Sequence, residues 1–326
     1  MDLRLALYEW TATHGLDAAA LRRLEGLAGF GSEPAALRRW LPAGIAVLAA
    51  ALGGLGLIFW IAANWETLSR FGRFAVLQAA VAAPAIAALA RPAWRAPLAL
   101  LALLATGALF AFFGQTYQTG ADPWQLFALW AALTLPLCLG VRSDVAWAPW
   151  ALVAMTAVSL WMHAHGGHRW RVEPDDLSVH LIGWAAALAV VVALGAIARP
   201  FTGAGPWALR TAATLAVAII TATALGGLFA FKTGARYGFG LVVLGATAAA
   251  FAATRAFDVF ALSAVALGLN VLVVAGLARL LFERTSSGDA IGRLLFIGLV
   301  AAGLLAASVS AVSRLARRHA GTGDAR

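Results

Sequence analysis

The residues best suited to chemistry lie in one short stretch of an otherwise apolar chain. Residues 114–122 read GQTYQTGAD and present amides, hydroxyls and one carboxylate between two apolar runs. Gln115, Tyr117 and Gln118 are unusual there, because a segment that only has to turn is typically built from Gly, Pro, Asn or Ser. Their donors and acceptors predict either a hydrogen-bonded plug between helices or a polar ligand site at the edge of the apolar region.

Asp122 closes this stretch and has a structural interpretation as well. It precedes Pro123, and Gln125 follows three positions on, as in an N-cap and capping box at the start of a helix. Both a helix cap and a binding residue are therefore open for this carboxylate.

A second polar segment ends the first apolar run with Asn64 and Trp65. If the two segments lie on the same side of a membrane, their side chains can satisfy one another where lipid offers no partner. We therefore expect the two loops to meet. The predicted binding cluster consists of Asn64, Trp65, Gln115, Tyr117, Gln118 and Asp122.

Histidines and acids between residues 163 and 180 have the residue types of a zinc or copper site. They are His163, His165, His168, Glu173, Asp175, Asp176 and His180. Gly166 and Gly167 interrupt the series, which favours an exposed, flexible connection over a rigid set of ligands. We therefore assign no metal to this segment.

The other polar residues form no catalytic pattern. No nucleophile stands with a base and no cofactor motif occurs, so we expect no enzyme, no catalytic residue and no cofactor. Ionisable residues avoid the centres of the apolar runs, which disfavours ion-coupled transport but leaves it open. Asn270, in the middle of one run, is interpreted as a contact between helices. Cys138 is the single cysteine, which excludes internal disulfides and cysteine-based zinc sites.

The elements that position these residues follow from composition. The chain has 326 residues, 62% hydrophobic and 12% charged, whereas charged residues make up about a quarter of a soluble domain. Since a membrane helix needs about 20 apolar residues, we predict an all-α polytopic membrane protein with about ten transmembrane helices. Continuous runs are typical of helices and not of a barrel. The runs lie at 43–63, 73–90, 97–114, 123–140, 145–162, 179–198, 207–230, 237–254, 258–282 and 291–313.

Three parts are expected along the chain. Residues 1–41 have amphipathic helical spacing, with a break at residues 14–15 and Asp17 as an N-cap, and form a cytoplasmic segment that lies on the bilayer or docks a partner. Residues 42–314 form the transmembrane bundle, and residues 315–326 form a basic cytoplasmic tail. ALFAFFGQT at 108–116 is echoed by GLFAFKTGA at 227–235, each downstream of Ala-Arg-Pro, which raises the suspicion of an internal duplication.

Charge indicates orientation. The net charge is +9, and the basic residues sit almost entirely at the ends of apolar runs, which indicates contact with lipid headgroups. No contiguous basic stripe with interleaved aromatics supports nucleic-acid binding. With a cytoplasmic N-terminus, more of the 24 basic residues face the cytoplasm than the opposite side, which favours both termini inside.

The motifs described above resemble a known family. Residues 59–65 (FWIAANW), residues 114–122 and the spacing Leu126-Phe127-x2-Trp130 are similar to the uncharacterised bacterial membrane-protein family called domain of unknown function 2157. The resemblance covers about residues 1–140. It implies a bacterial inner-membrane location and the importance of these motifs. It implies no reaction, because the family has no established activity.

Two functions fit these observations. The first is a non-enzymatic envelope or partner-binding component, whose central loop docks a membrane-protein partner. The alternative is a small-molecule transporter of drug/metabolite-carrier size, with a ligand that the sequence does not identify. Inverted pseudosymmetry of five plus five helices around a cavity would favour the transporter, and a packed bundle would favour the first function.

Overall fold

The chain is helical wherever its structure is described. The computed structural model describes residues 3–27, 35–63, 67, 69–117, 120, 122–166, 177–229, 235–253, 257–283 and 290–323, and these contain no strand. The predicted all-α class is confirmed for them. The helices are α1 (Leu3–His14), α2 (Ala18–Leu27), α3 (Ala35–Ala63), α4 (Arg70–Ala90), α5 (Arg95–Tyr117), α6 (Pro123–Val141), α7 (Asp144–His165), α8 (Leu177–Leu194), α9 (Arg199–Thr202), α10 (Pro206–Leu228), α11 (Ala235–Ala253), α12 (Val259–Glu283) and α13 (Ala290–Gly323).

Ten of the described helices are long and apolar enough to cross a bilayer, as predicted: α3 to α8 and α10 to α13. Two of them extend clearly beyond the predicted runs. Helix α3 begins at Ala35 and contains Pro42, and α13 continues to Gly323 through most of the predicted tail. At 1.5 Å per residue, the 34 residues of α13 measure about 50 Å, more than the ~30 Å of bilayer hydrocarbon.

The chain forms two compact units, residues 1–49 and 50–326. The first contains α1, α2 and the beginning of α3. Between α1 and α2, Gly15 has a φ of +60°, a left-handed conformation that glycine adopts readily. The Asp17 carboxylate then accepts a hydrogen bond from the Ala20 N–H at 2.7 Å. The break and the N-cap both agree with the sequence-based prediction.

In the second unit, tryptophan side chains tie neighbouring helices together. The Trp130 indole on α6 donates to the carbonyl of Leu103 on α5 at 2.9 Å. The Trp150 indole on α7 donates to the carbonyl of Ala131 on α6 at 2.8 Å. Gly107 makes room for the Trp130 ring, since a Cβ at that position would overlap it. These bonds satisfy indole N–H groups that lipid could not satisfy.

The second unit contains the same order of helices twice. Helices α4, α5, α6 and α7 are followed by α8, α10, α11 and α12, and a short helical turn precedes both α5 and α10. Helix α5 packs on α4, α6 and α7, and α10 packs on α8, α11 and α12 in the same way. Helix α6 also packs on α7, and α11 packs on α12. Thr-Gly-Ala recurs at 119–121 and 233–235, and Asp-Val at 144–145 and 258–259. Equivalent helices have three spanning helices between them along the chain, so the two sets, which we call copies, have the same orientation across a membrane.

The two copies meet where α7 packs on α10. Ala146 and Ala151 on α7, and Ala208, Ala212 and Ala216 on α10, are each at most 1% exposed. Small side chains allow two helix backbones to approach closely within a membrane. We call this contact the α7–α10 seam. It is a close-packed core and joins the halves of the unit.

An aspartate on α7, in the first copy, caps the N-terminus of α10 in the second copy. Helix α10 follows Gly205, which has no side chain to cap it. The Asp144 carboxylate on α7 accepts hydrogen bonds from the N–H groups of Gly205, Trp207 and Ala208 at 2.7, 3.1 and 3.1 Å. A Cβ on Gly205 would overlap this carboxylate. The negative charge also lies at the positive end of the helix dipole.

Two further contacts hold the same end of α10. The Trp147 indole on α7 donates to the carbonyl of Thr202, in the turn before α10, at 2.9 Å. Arg210 on α10 pairs with Asp258 at 3.2 Å, immediately before α12. The start of α10 is therefore fixed to both α7 and α12.

We predict that Asp144→Ala lowers the free energy of unfolding by about 2–4 kcal/mol, because three N–H groups lose a charged acceptor. Thermal unfolding of the purified protein in detergent measures the loss. Asp122→Ala is the matched control, since Asp122 also precedes a helix but makes no side-chain cap bond. Equal effects of the two substitutions would contradict the assignment.

Candidate functional site

The predicted binding cluster falls partly within the described residues. Asn64, Trp65 and Gln118 lie outside them. Gln115 and Tyr117 belong to the last turn of α5, and Asp122 directly precedes α6. The meeting of the two loops therefore stays a prediction.

The prediction of a loop over residues 114–122 is wrong for its first four residues. Helix α5 continues through Gly114 to Tyr117. Gly114 does not end the helix because it faces α6, where a Cβ would lie 3.0 Å from Leu126 Cδ1. The glycine allows α5 and α6 to pack closely. The backbone of Gln115 and Tyr117 therefore belongs to a helical turn and not to a loop.

Asp122 occupies the N-cap position of α6, as predicted, and Pro123 is the first helical residue. The Gln125 N–H donates to the backbone carbonyl of Asp122 at 3.0 Å. The side chain of Asp122 makes no cap hydrogen bond, so only its backbone carbonyl bonds to the first turn of α6. Its side chain is exposed, and within the described part of the chain it forms no ion pair.

Aromatic packing brings the helices that carry the predicted loops to one place. The Phe74 ring at the start of α4 lies 4.7 Å from the Phe112 ring near the end of α5. Phe112 and Leu77 are buried together, and Leu57, near the end of α3, packs against them. The end of α3, the start of α4 and the end of α5 are therefore neighbours. The described helix ends that precede or follow the two predicted loops thus lie close together, and contact between the loops themselves stays a prediction.

The end of α7 adds aromatic groups beside α6. The His165 ring packs against Trp161, with 4.8 Å between the ring centres and a tilt of 30°, and it lies edge-on to Trp124 at 5.8 Å. The indole N–H of Trp124 is buried and, among the described residues, has no acceptor. This end of α6 therefore carries an unused donor two residues from the exposed Asp122 carboxylate.

The segment proposed as an exposed connection, 163–180, is not exposed throughout. His163 and His165 are exposed and end α7, whereas His180 is buried within α8. His168, Glu173, Asp175 and Asp176 lie outside the described residues. Among the residues that are described, no three His, Cys, Asp or Glu side chains are placed to share a metal ion.

His180 is buried because it accepts a hydrogen bond from Arg236. The guanidinium of Arg236, at the start of α11, donates to His180 Nε2 at 2.8 Å, and both residues are less than 10% exposed. Gly226 and Gly227 on α10 leave space for the arginine, since a Cβ on either would approach its guanidinium nitrogens to 3.0–3.1 Å. Trp184, which lies edge-on to His180, donates to Thr223 on α10 at 2.9 Å.

Sequence analysis missed this pair because each residue stands at the margin of an apolar run. A signal was present in the repeat, where Thr-Gly-Ala precedes Asp122 in the first copy and Arg236 in the second. Equivalent positions thus carry opposite charges, one exposed and one buried. Asn270 agrees with its predicted role, since its Oδ1 accepts a hydrogen bond from the Ser308 hydroxyl on α13 at 3.1 Å.

Taken together, the fold is that of a multi-pass α-helical membrane protein, with polar groups gathered at the ends of its helices. Residues 8–147 match the family described as "Predicted membrane protein (DUF2157)". The match confirms the resemblance predicted from the motifs and covers less than half of the 326 residues. No curated protein and no solved structure matches the chain significantly.

We predict that His180→Phe and Arg236→Met each lower the free energy of unfolding by about 3–5 kcal/mol, because each removes one partner of a buried polar pair. The double variant should lose less than the sum of the two. Thermal unfolding measures all three, with exposed Arg317→Gln as the control. Strict additivity would show that the pair is not an energetic unit.

The predicted meeting of the loops is tested by chemical cross-linking. In a Cys138→Ala background, Asn64→Cys and Gln118→Cys should be joined by a short bismaleimide, because the two loops are expected to touch. Asn64→Cys with Gly140→Cys, near the other end of α6, provides the negative control. Cross-linking no better than the control pair would refute the shared cluster.

Proposed function

We propose that this protein is a non-enzymatic, multi-pass component of a bacterial inner membrane that binds a membrane-protein partner. Its binding surface is the end of the bundle that carries residues 64–67 and 115–122. Both termini are cytoplasmic in this proposal, which places the binding surface outside the cytoplasm. The excess of basic residues on the opposite side of the bundle supports this orientation.

The observation that carries the proposal is the state of Asp122. A carboxylate at a helix N-cap is normally bonded to the backbone of its own helix. Here it is exposed and makes no such bond, although Pro123 and the backbone geometry are those of a cap. A charged group held in place and left available is suited to pair with a cationic side chain on a partner.

Rigidity of the surrounding helices supports binding over transport. The α7–α10 seam is filled by fully buried alanines, and Asp144 and Trp147 lock its end through hydrogen bonds. Alternating access requires two halves of a carrier to move against each other around a site. A seam packed in this manner favours a static scaffold.

Transport is the second candidate, and the duplication is the observation that favours it. Some carriers are built from parallel repeats whose interface holds the substrate. The repeat found here is parallel, with copies α4–α7 and α8–α12, and differs from the inverted five-plus-five arrangement that we considered from sequence. The ligand of such a carrier would be a small molecule that crosses at the seam.

One experiment tests both the binding surface and its orientation. A membrane-impermeant, thiol-reactive photo-cross-linker is applied to spheroplasts of Cys138→Ala protein carrying Thr67→Cys or Gln125→Cys, which are exposed positions that keep Asp122 intact. We predict that both positions are labelled and yield the same discrete protein adduct on illumination. A further Asp122→Asn substitution in the Thr67→Cys protein should reduce the yield about tenfold, as expected when a charged pair loses one charge.

Arg91→Cys, exposed at the other end of the bundle, is the control and should remain unlabelled until the membrane is permeabilised. Labelling of Arg91→Cys from outside would contradict the proposed orientation. Absence of a common adduct from positions 67 and 125 would contradict the partner-binding function.

A further inference from the structure

A groove opens between α11 and α12 near the end of α12. It has a volume of about 390 Å³, and one wall is closed by Leu228 at the end of α10. Its floor is apolar and includes Leu241, Val273 and Leu277. Val273 and Leu280 are 40% and 55% exposed, so the groove opens on the side of the bundle that faces lipid. A cavity of this size is large enough for part of an organic ligand.

The groove is built into the contact between the two helices. Tyr237 on α11 donates its phenolic hydroxyl to the carbonyl of Leu272 on α12 at 2.8 Å. The tyrosine reaches this carbonyl because Gly276 has no side chain, and a Cβ there would overlap the hydroxyl. The phenol ring therefore has a fixed position and lines the groove.

Among the described residues that line the groove, one is positively charged and one is negatively charged. Arg279 Nε donates to Glu283 Oε1 at 2.6 Å, one helical turn away. The arginine side chain is 12% exposed and the glutamate side chain is 55% exposed. The cation thus lies against the apolar floor, and the anion lies farther out. Both belong to the last turns of α12, at the depth where lipid headgroups meet helix ends.

We propose that this groove binds a phospholipid with a phosphoethanolamine-type headgroup. An acyl chain lies along the apolar floor, the phosphate contacts Arg279, and the primary ammonium donates to Glu283. The order of charges in such a headgroup, phosphate next to the tail and ammonium at the outer end, matches the order of Arg279 and Glu283 at the rim. A guanidinium has five N–H donors and can bind a carboxylate and a phosphate together.

Charge complementarity also separates this lipid from the other common classes. A phosphoglycerol headgroup has no ammonium. Arg279 would then be the one positive charge in this set of groups, facing both the phosphate and Glu283, and the two negative charges would repel each other. A quaternary ammonium has no N–H and cannot donate a hydrogen bond to the carboxylate. The groove therefore selects a primary ammonium, which is a lipid preference that the mere presence of a bilayer does not require.

Native mass spectrometry of the full-length protein tests the proposal. The protein is delipidated in detergent and then titrated with phosphatidylethanolamine, phosphatidylcholine or phosphatidylglycerol of identical acyl chains. We expect one equivalent of phosphatidylethanolamine to bind most tightly. Glu283→Gln should weaken it about tenfold, as expected for a lost hydrogen bond to a charged group, and should leave phosphatidylglycerol binding unchanged or stronger. Leu277→Trp, which fills the groove, should abolish binding of the tight equivalent of either lipid.

Glu25→Gln in α2 is the matched control, because it removes a carboxylate that does not line the groove. Thermal unfolding verifies that each variant is folded. If Leu277→Trp unfolds, the exposed Glu283→Gln variant still decides the question. Equal binding of the three lipids by the unsubstituted protein, or unchanged phosphatidylethanolamine binding by Glu283→Gln, would overturn the proposal.

Discussion

Polar groups inside a bilayer must find their partners within the protein, and this constraint organises the whole second unit. The indoles of Trp130 and Trp150 bond to carbonyls of adjacent helices. The carboxylate of Asp144 bonds to the first amides of α10. Because lipid would leave each of these groups unsatisfied at a cost of several kcal/mol, every bond ties two elements together. The polar residues of the interior are therefore the connections of the fold.

Some of these connections lie within one copy, and those of Asp144 and Trp147 join the two copies. Each copy has its own internal helix contacts, so the contact between copies is the place where specificity is needed. There, alanines allow α7 and α10 to approach, and Asp144 fixes their register. The opposite ends of the helices are used differently in the two copies. The second copy buries its arginine against His180, whereas the first leaves Asp122 exposed at the equivalent position. At these equivalent positions one charged residue is therefore buried in a pair and the other is exposed.

Hydropathy alone predicted the helices well, because a bilayer imposes a length and a composition on every span. It failed where the role of a residue depends on contact with another helix, because the sequence does not show which helices are neighbours. Gly114 resembles a helix end, yet it lies inside α5 because α6 approaches it. His180 resembles part of a solvated loop, yet it is buried because Arg236, 56 residues later, reaches it. The position of Asp122 was predictable from local rules, and its unbonded side chain was not, because a cap bond also depends on the rotamer of the capping side chain.

The central claim is that the two copies form one static scaffold closed at the α7–α10 seam. Its most direct test is a distance measurement by pulsed electron resonance between spin labels on the two copies in lipid nanodiscs. Leu133 on α6 and Val242 on α11 are exposed and suit labelling after Cys138→Ala. A static scaffold predicts one narrow distance distribution that does not change with added lipids, ions or candidate substrates. Two populations that exchange weight when a small molecule is added would contradict it and would identify a carrier.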